Sequence, residues 1–227
     1  MKKLKYVKIW ESFVNEEFTV GNRMTSNLFV MTSKLNQLTD EKEKAAARAE
    51  IDKTEEELKK YLSDQFDIDI SYVSTNYGLS LSLNFPEGFF KKLGRFFGLG
   101  DTKVSLTYRA KDLEKLQYTE TKPGSYEIPV QDLDESISLF IGAKRTNVGE
   151  GYEKEIMHNE IELKVEDANK MLLVIKEINP ATQIRSAEEL VKRMNTKLQE
   201  DYTNKINMGK TNPNYSFAAV NKVVLVA

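Results

Sequence analysis

Few residues here are of types that could run a reaction, and counting them narrows the chemistry. Cysteine is absent, and His158 is the only histidine among 227 residues. Thiolate nucleophiles, thiolate metal sites, histidine-pair zinc motifs and any triad that needs a second histidine are therefore excluded. His158 and Glu160 stand in Ile156-Met157-His158-Asn159-Glu160. An imidazole beside a carboxylate could act as a general base, but no nucleophile is spaced to meet it, so a surface or hydrogen-bonded structural role is the favoured reading. Asp132, Asp134 and Glu135 have the composition of a cation site but lack the glycine and the spaced oxygens of a calcium loop, and read as a surface turn. Gly209-Lys210-Thr211 looks like the tail of a phosphate loop. The first glycine of that motif would fall at Asn204, inside a predicted helix and with no strand before it, so the motif is rejected. No catalytic, metal-binding or cofactor-binding residues are assigned, and no cofactor is expected.

The elements that would have to position any such group begin with a long helix. Asp40 to Phe66 makes about seven turns, with Ala47, Ile51, Thr54, Leu58, Tyr61 and Leu62 recurring at three- and four-residue steps. Glu55, Glu56, Lys59 and Lys60 fall among the charged residues on its other sides. Asp40 followed by Glu43 offers the N-terminal cap, and Asp64 and Asp67 compete with the helix at its end. Before it, Met24 to Leu38 forms a second helix through Leu28, Met31, Leu35 and Leu38, with Phe29 and Val30 suggesting burial on more than one side. Gly21 and Asn22 are read as the break that precedes it.

From Ile68 the period falls to two. Ile68, Ile70 and Tyr72, then Leu79, Leu81, Leu83 and Phe85, read as a hairpin across Thr75 to Gly78. A third strand covers Lys103 to Ala110, a helical turn covers Lys111 to Leu116, and Pro123-Gly124 marks a turn. Tyr126 to Val130 and Ile137 to Ile141 read as short strands on either side of the acidic turn, and Ile161 to Val165 as a sixth strand. Asp167 to Ile178 fits a helix stopped by Asn179-Pro180, with a strand over Met171 to Ile175 as the alternative. Ser186-Ala187-Glu188-Glu189 is a capping box that opens a helix to about Ile206, and Val223 to Val226 ends the chain as a strand that fills a sheet position or pairs with a second subunit. With helices first, then strands on short connections and no strand-helix-strand rhythm, the fold class is α+β: N-terminal helices packed on a mainly antiparallel sheet, with further helices near the C-terminus. The organisation read from the sequence is an N-terminal helical region over 1–66 and an α+β region over 67–227, sharing one core with the long helix.

Two amphipathic segments stand apart. Leu4 to Phe18 puts Val7, Trp10, Phe13 and Val14 on one helical face. Phe89 to Gly100 makes a stripe of Phe89, Phe90, Leu93, Phe96, Phe97 and Leu99 opposite Lys91, Lys92 and Arg95. Packing on the chain's own core is the plain reading of both. The functional reading makes Trp10, Phe13, Phe89, Phe90, Leu93, Phe96 and Phe97 anchors for a protein partner. Three cations without a polybasic extension would attract anionic lipid weakly, by on the order of 1 kcal/mol each, so membrane-surface contact ranks behind protein contact. With 33 basic and 35 acidic residues and a net charge of -2, no whole-protein field draws the chain to nucleic acid. No window reaches the roughly 20 apolar residues of a transmembrane helix. Glu11, Glu16 and Glu17 interrupt what would be a secretory core, so the expected location is the cytoplasm.

Lys5-Tyr6-Val7-Lys8-Ile9-Trp10-Glu11-Ser12-Phe13-Val14-Asn15-Glu16 resembles the capsid-targeting openings of virion or head-packaged proteins of large contractile-tailed bacteriophages. A basic start, an aromatic-Glu-x-Phe core and a closing apolar-x-Glu triplet carry the resemblance. It implies that Val14-Asn15-Glu16 is a cleavage triplet for a prohead protease, that the mature chain starts at Glu17, and that the protein resides in the host cytoplasm or the virion. The expectation is a non-enzymatic structural or interaction protein of a phage particle. Two alternatives stand beside it: an intracellular adaptor or inhibitor that binds a host protein through the aromatic segments, and a carboxylate-dependent metal enzyme, which needs acidic side chains from distant segments to converge.

Overall fold

The structure, a computed structural model, describes residues 19–75, 78–84, 99–110, 118–128, 133–143, 156–211 and 218–227. Helix α1 spans Val20–Gln37, and its cap is Thr19, whose hydroxyl accepts from the Asn22 amide at 3.1 Å. Gly21 and Asn22, expected as a helix break, instead form its first turn. Tertiary contact overrides their weak helix propensity. A Cβ on Gly21 would lie 2.8 Å from the Glu177 Cγ, and the buried Asn22 donates its Nδ2 to the Ile178 carbonyl at 2.8 Å. Leu28, Phe29 and Val30 are all buried, so α1 is covered on more than one side.

Helix α2 spans Glu41–Phe66. The Asp40 carboxylate accepts from the Lys42 and Glu43 amides at 2.9 and 3.0 Å, and Asp67 closes the helix in the left-handed conformation. Ile51, Leu58 and Leu62 form the buried stripe, while Arg48–Asp52 and Lys53–Glu57 pairs decorate the wet side. Glu55 departs from the expected pattern: it is buried, because the turn after the first strand brings donors to it.

Strands β1 (Ile70–Ser74), β2 (Leu79–Asn84), β3 (Leu99–Ala110) and β6 (Leu133–Ala143) form an antiparallel sheet in the order β1-β2-β3-β6. Register places Leu81 opposite Leu106 and Leu106 opposite Ile137, and the neighbouring row is Leu79, Tyr108, Glu135. Side chains alternate along a strand, so Glu135 shares the core face with the buried Ile137. The expected acidic turn is thus corrected, with Asp134 and Glu135 inside β6. A Cβ on Gly78 would come within 2.5 Å of the Tyr108 carbonyl, and its φ is +115°, so only glycine fits where β2 meets β3.

Strands β4 (Thr119–Lys122) and β5 (Ser125–Glu127) pair across the Pro123-Gly124 turn and dock on α1, where the Tyr126 amide donates to Asn27 Oδ1 at 2.8 Å. Strand β7 (Ile156–Lys164) runs directly into α3 (Val165–Ile178), then α4 (Ala187–Thr211), then β8 (Ala218–Val226). Val165 therefore opens a helix instead of ending a strand, and Met171 to Ile175 are helical. β7 and β8 pair in parallel, with Ile161 opposite Val223. This is a strand-helix-helix-strand crossover, a departure from the absence of strand-helix-strand rhythm in the sequence pattern. A parallel pair needs a long connection, and the two intervening helices hide the relationship from local patterns. β8 thus pairs within its own chain. The remaining sheets are antiparallel, and the architecture is α+β.

One hydrophobic cluster joins the layers: Leu58 and Leu62 of α2, Leu81 and Leu106 of the sheet, Met171 and Ile175 of α3, Leu190 and Met194 of α4. Among the described residues, no helix is long and apolar enough to cross a membrane.

Candidate functional site

Among the described residues, polar side chains from two other segments converge on Glu135. Asn179-Pro180-Ala181-Thr182 closes a turn after α3, in which the Thr182 amide donates to the Asn179 carbonyl at 3.0 Å and Pro180 supplies the fixed φ of the second position. That turn delivers two donors to one carboxylate. Thr182 Oγ1 donates to Glu135 Oε1 at 2.8 Å, and Asn179 Nδ2 donates to Oε2 at 3.2 Å. From α4, Arg193 Nη1 approaches Oε1 at 4.0 Å and also pairs with Glu189. Glu189 in turn accepts from the Arg185 amide at 3.0 Å while its own amide donates to the Ser186 hydroxyl oxygen at 3.2 Å. The capping box read from the sequence is therefore the outer end of a polar chain whose inner end is Glu135.

The Glu135 side chain is 8 % exposed. Burial pushes its carboxyl above the usual glutamate range, opposed by the Thr182 and Asn179 hydrogen bonds and by the Arg193 charge. Tyr108, opposite Glu135 in the β3–β6 register, is fully buried, and its hydroxyl has no partner among the described residues. Burial, and then the neighbouring Glu135 charge, raises that phenol well above its ordinary value. Asn179 Oδ1 is likewise buried and without a partner among the described residues. A general base presents a free oxygen to its substrate. Both Glu135 oxygens are engaged by this chain's own donors.

A second carboxylate clamps three helices. Glu177 Oε1 accepts from the Gly21 amide at 2.8 Å and from the Tyr61 hydroxyl at 2.9 Å, while Thr19 Oγ1 donates to the Glu177 carbonyl. Burial first, then the hydrogen bond to Glu177, pushes Tyr61 up to about 12. A third carboxylate, Glu55, accepts from the Thr75 amide and hydroxyl. Beside α4 and β8 lies an open groove of about 750 Å³, lined by Val191, Asn195, Gln199, Lys222, Val223 and Leu225 among others. Asn195 bridges it, donating to the Val223 carbonyl at 2.9 Å and accepting from the Val223 amide at 2.8 Å.

No family model, curated protein or solved structure matches this chain.

The interaction candidates Trp10, Phe13, Phe89, Phe90, Leu93, Phe96 and Phe97, and the processing site Glu16 and Glu17, lie outside the described residues, as do Asp132 and the 111–116 turn. Leu99 and Gly100, grouped with the aromatic segment by sequence, belong to β3. His158 lies in β7 opposite Val220, and Glu160 opposite Lys222. Among the described residues, no three His, Asp or Glu side chains gather where they could hold a metal ion. Of the residues that do converge, the sequence singles out Glu135, as part of an acidic turn, and Asn179, as part of a helix stop, but not Tyr108, Thr182 or Arg193. Asn179-Pro180 was legible as a helix stop, and the turn it starts is the signal that points to donors. The carboxylate they meet is 44 residues away from Asn179, and no local pattern links the two.

Proposed function

We propose that this chain is a non-enzymatic structural or interaction protein of a large contractile-tailed bacteriophage, carried on the particle or packaged in its head. The observation that carries the first half is how three buried or half-buried carboxylates are used. Glu135, Glu177 and Glu55 each fasten elements remote in sequence, with partners 47, 156 and 20 residues away, and each directs its oxygens at the chain itself. Such fasteners make a rigid body, which suits a contact role. The second half rests on the resemblance of Lys5 to Glu16 to capsid-targeting segments. The cleavage it implies, after Glu16, would leave Thr19 in place as the α1 cap, with its hydrogen bond to Glu177 intact. A trimmed chain would therefore retain the clamp.

Mass spectrometry of gradient-purified particles from cells producing the phage tests both halves. The expected result is peptides of this chain at copy numbers comparable to known particle components, with a non-tryptic N-terminus at Glu17. Finding the chain in the lysate but not in particles overturns the particle assignment. Particles containing only chains that begin at Met1 overturn the processing.

A further inference from the structure

We propose that the joint between α1, the end of α3 and the β3–β6 pair is an internal water-binding site, in which resident water links Asn22, Thr25, Tyr108 and Asn179. Five buried side-chain atoms have no hydrogen-bond partner among the described residues, and four of them, Asn22 Oδ1, Thr25 Oγ1, Asn179 Oδ1 and the Tyr108 hydroxyl, fall along one connected path. Asn22 donates its Nδ2 to the Ile178 carbonyl at 2.8 Å, and Asn179 is the next residue. Asn179 donates its own Nδ2 to Glu135 at 3.2 Å, and Tyr108 is the cross-strand neighbour of Glu135 on the core face. Thr25 lies one helical turn beyond Asn22, on the same side of α1. Asn22, Thr25 and Tyr108 are fully buried and Asn179 is 5 % exposed, so bulk solvent does not serve them.

The bonds already made decide which end of each amide is unpaired. Each Nδ2 donates to an acceptor, so the oxygen is the unpaired end in both Asn22 and Asn179. The joint therefore presents two amide oxygens that need donors and two hydroxyls whose protons need acceptors. A metal cation would serve the oxygens and leave the hydroxyl protons unpaired, and an anion would do the reverse. Water alone both accepts and donates. A water that accepts from the Thr25 or Tyr108 hydroxyl and donates to Asn22 Oδ1 or Asn179 Oδ1 satisfies a pair of these groups, while the bonds now made to Glu135 and to the Ile178 carbonyl are all kept. Its second proton has the remaining lone pairs of Glu135 within the same joint. A buried polar group left unpaired carries its full desolvation cost, and buried water making about three hydrogen bonds is the usual way such groups are satisfied.

Two measurements on the full chain test the site. In a crystal structure of wild type at a resolution that shows ordered solvent, water is expected within hydrogen-bond distance of at least two of the four atoms. Thr25→Val and Tyr108→Phe then separate a hydrated joint from a dry one by the sign of their effect. In a hydrated joint each variant takes a donor from bound water, and the Tm of at least one is expected to fall by ~2 °C or more. In a dry joint each variant removes an unpaired buried hydroxyl at nearly constant shape, and Tm stays or rises. Water on fewer than two of the four atoms, or no such fall in Tm in either variant, overturns the proposal. The crystallographic measurement uses wild type alone and decides the matter where a variant does not fold.

Discussion

Thr75 donates both its backbone amide, at 2.8 Å, and its hydroxyl, at 2.6 Å, to the same oxygen of Glu55. Both residues are buried. One carboxylate thereby ends β1 and fixes the start of the β1–β2 turn against the middle of α2. The charge is out of water, but two short donors meet it there.

Replacing Glu55 by alanine should therefore leave two buried donors without an acceptor, at a cost of about 2–4 kcal/mol. In a chain of this size that corresponds to a Tm lower by roughly 5–15 °C. Thr75→Val, which removes only the hydroxyl, should cost less than half as much. Thermal melts at neutral pH check this, and an alanine variant within about 2 °C of wild type would sink the fastener role.

Tyr61 gives a prediction at the alkaline end. Its pKa is pushed up to about 12 by burial and by its hydrogen bond to Glu177. The phenol is raised in the folded state, so its contribution is complete below the unfolded tyrosine value of about 10 and is lost as pH climbs through 12. Tyr61→Phe should be slightly less stable than wild type at pH 8 and should lose less stability between pH 10 and 12. Absorbance titration at 295 nm, run beside melts across that range, should show one late-titrating tyrosine missing from the variant. If the two Tm profiles stay parallel to pH 12, the linkage is wrong.

Asn195 protects a strand edge. Its amide matches the backbone of Val223 with two hydrogen bonds, one donated and one accepted, as a neighbouring strand would. Asn195→Ala should free that edge, lower stability by about 1–3 kcal/mol, and promote self-association because an open edge can pair with another chain. Chemical denaturation measures the first effect and light scattering over a concentration series the second. A variant that stays as stable and as monodisperse as wild type would show that the edge is protected by other means.

Local chemistry made several elements legible without any structure. The three- and four-residue stripe of Ile51, Leu58 and Leu62 specified α2, Asp40 marked its start, Ser186 and Glu189 marked the start of α4, and the alternation of Leu79, Leu81 and Leu83 specified β2. These signals are short-range, since helix and strand periods and caps act within a few residues. What tertiary structure alone decided is which polar residues go inside. Glu55, Glu135 and Asn22 have the composition of surface residues and are buried because donors or acceptors arrive from 20 to 156 residues away. The parallel pairing of β7 with β8 has the same origin: two helices separate the strands, and only the packed core brings them side by side. A carboxylate costs free energy to bury until its partners are in place, and the chain's linear order holds no record of that meeting.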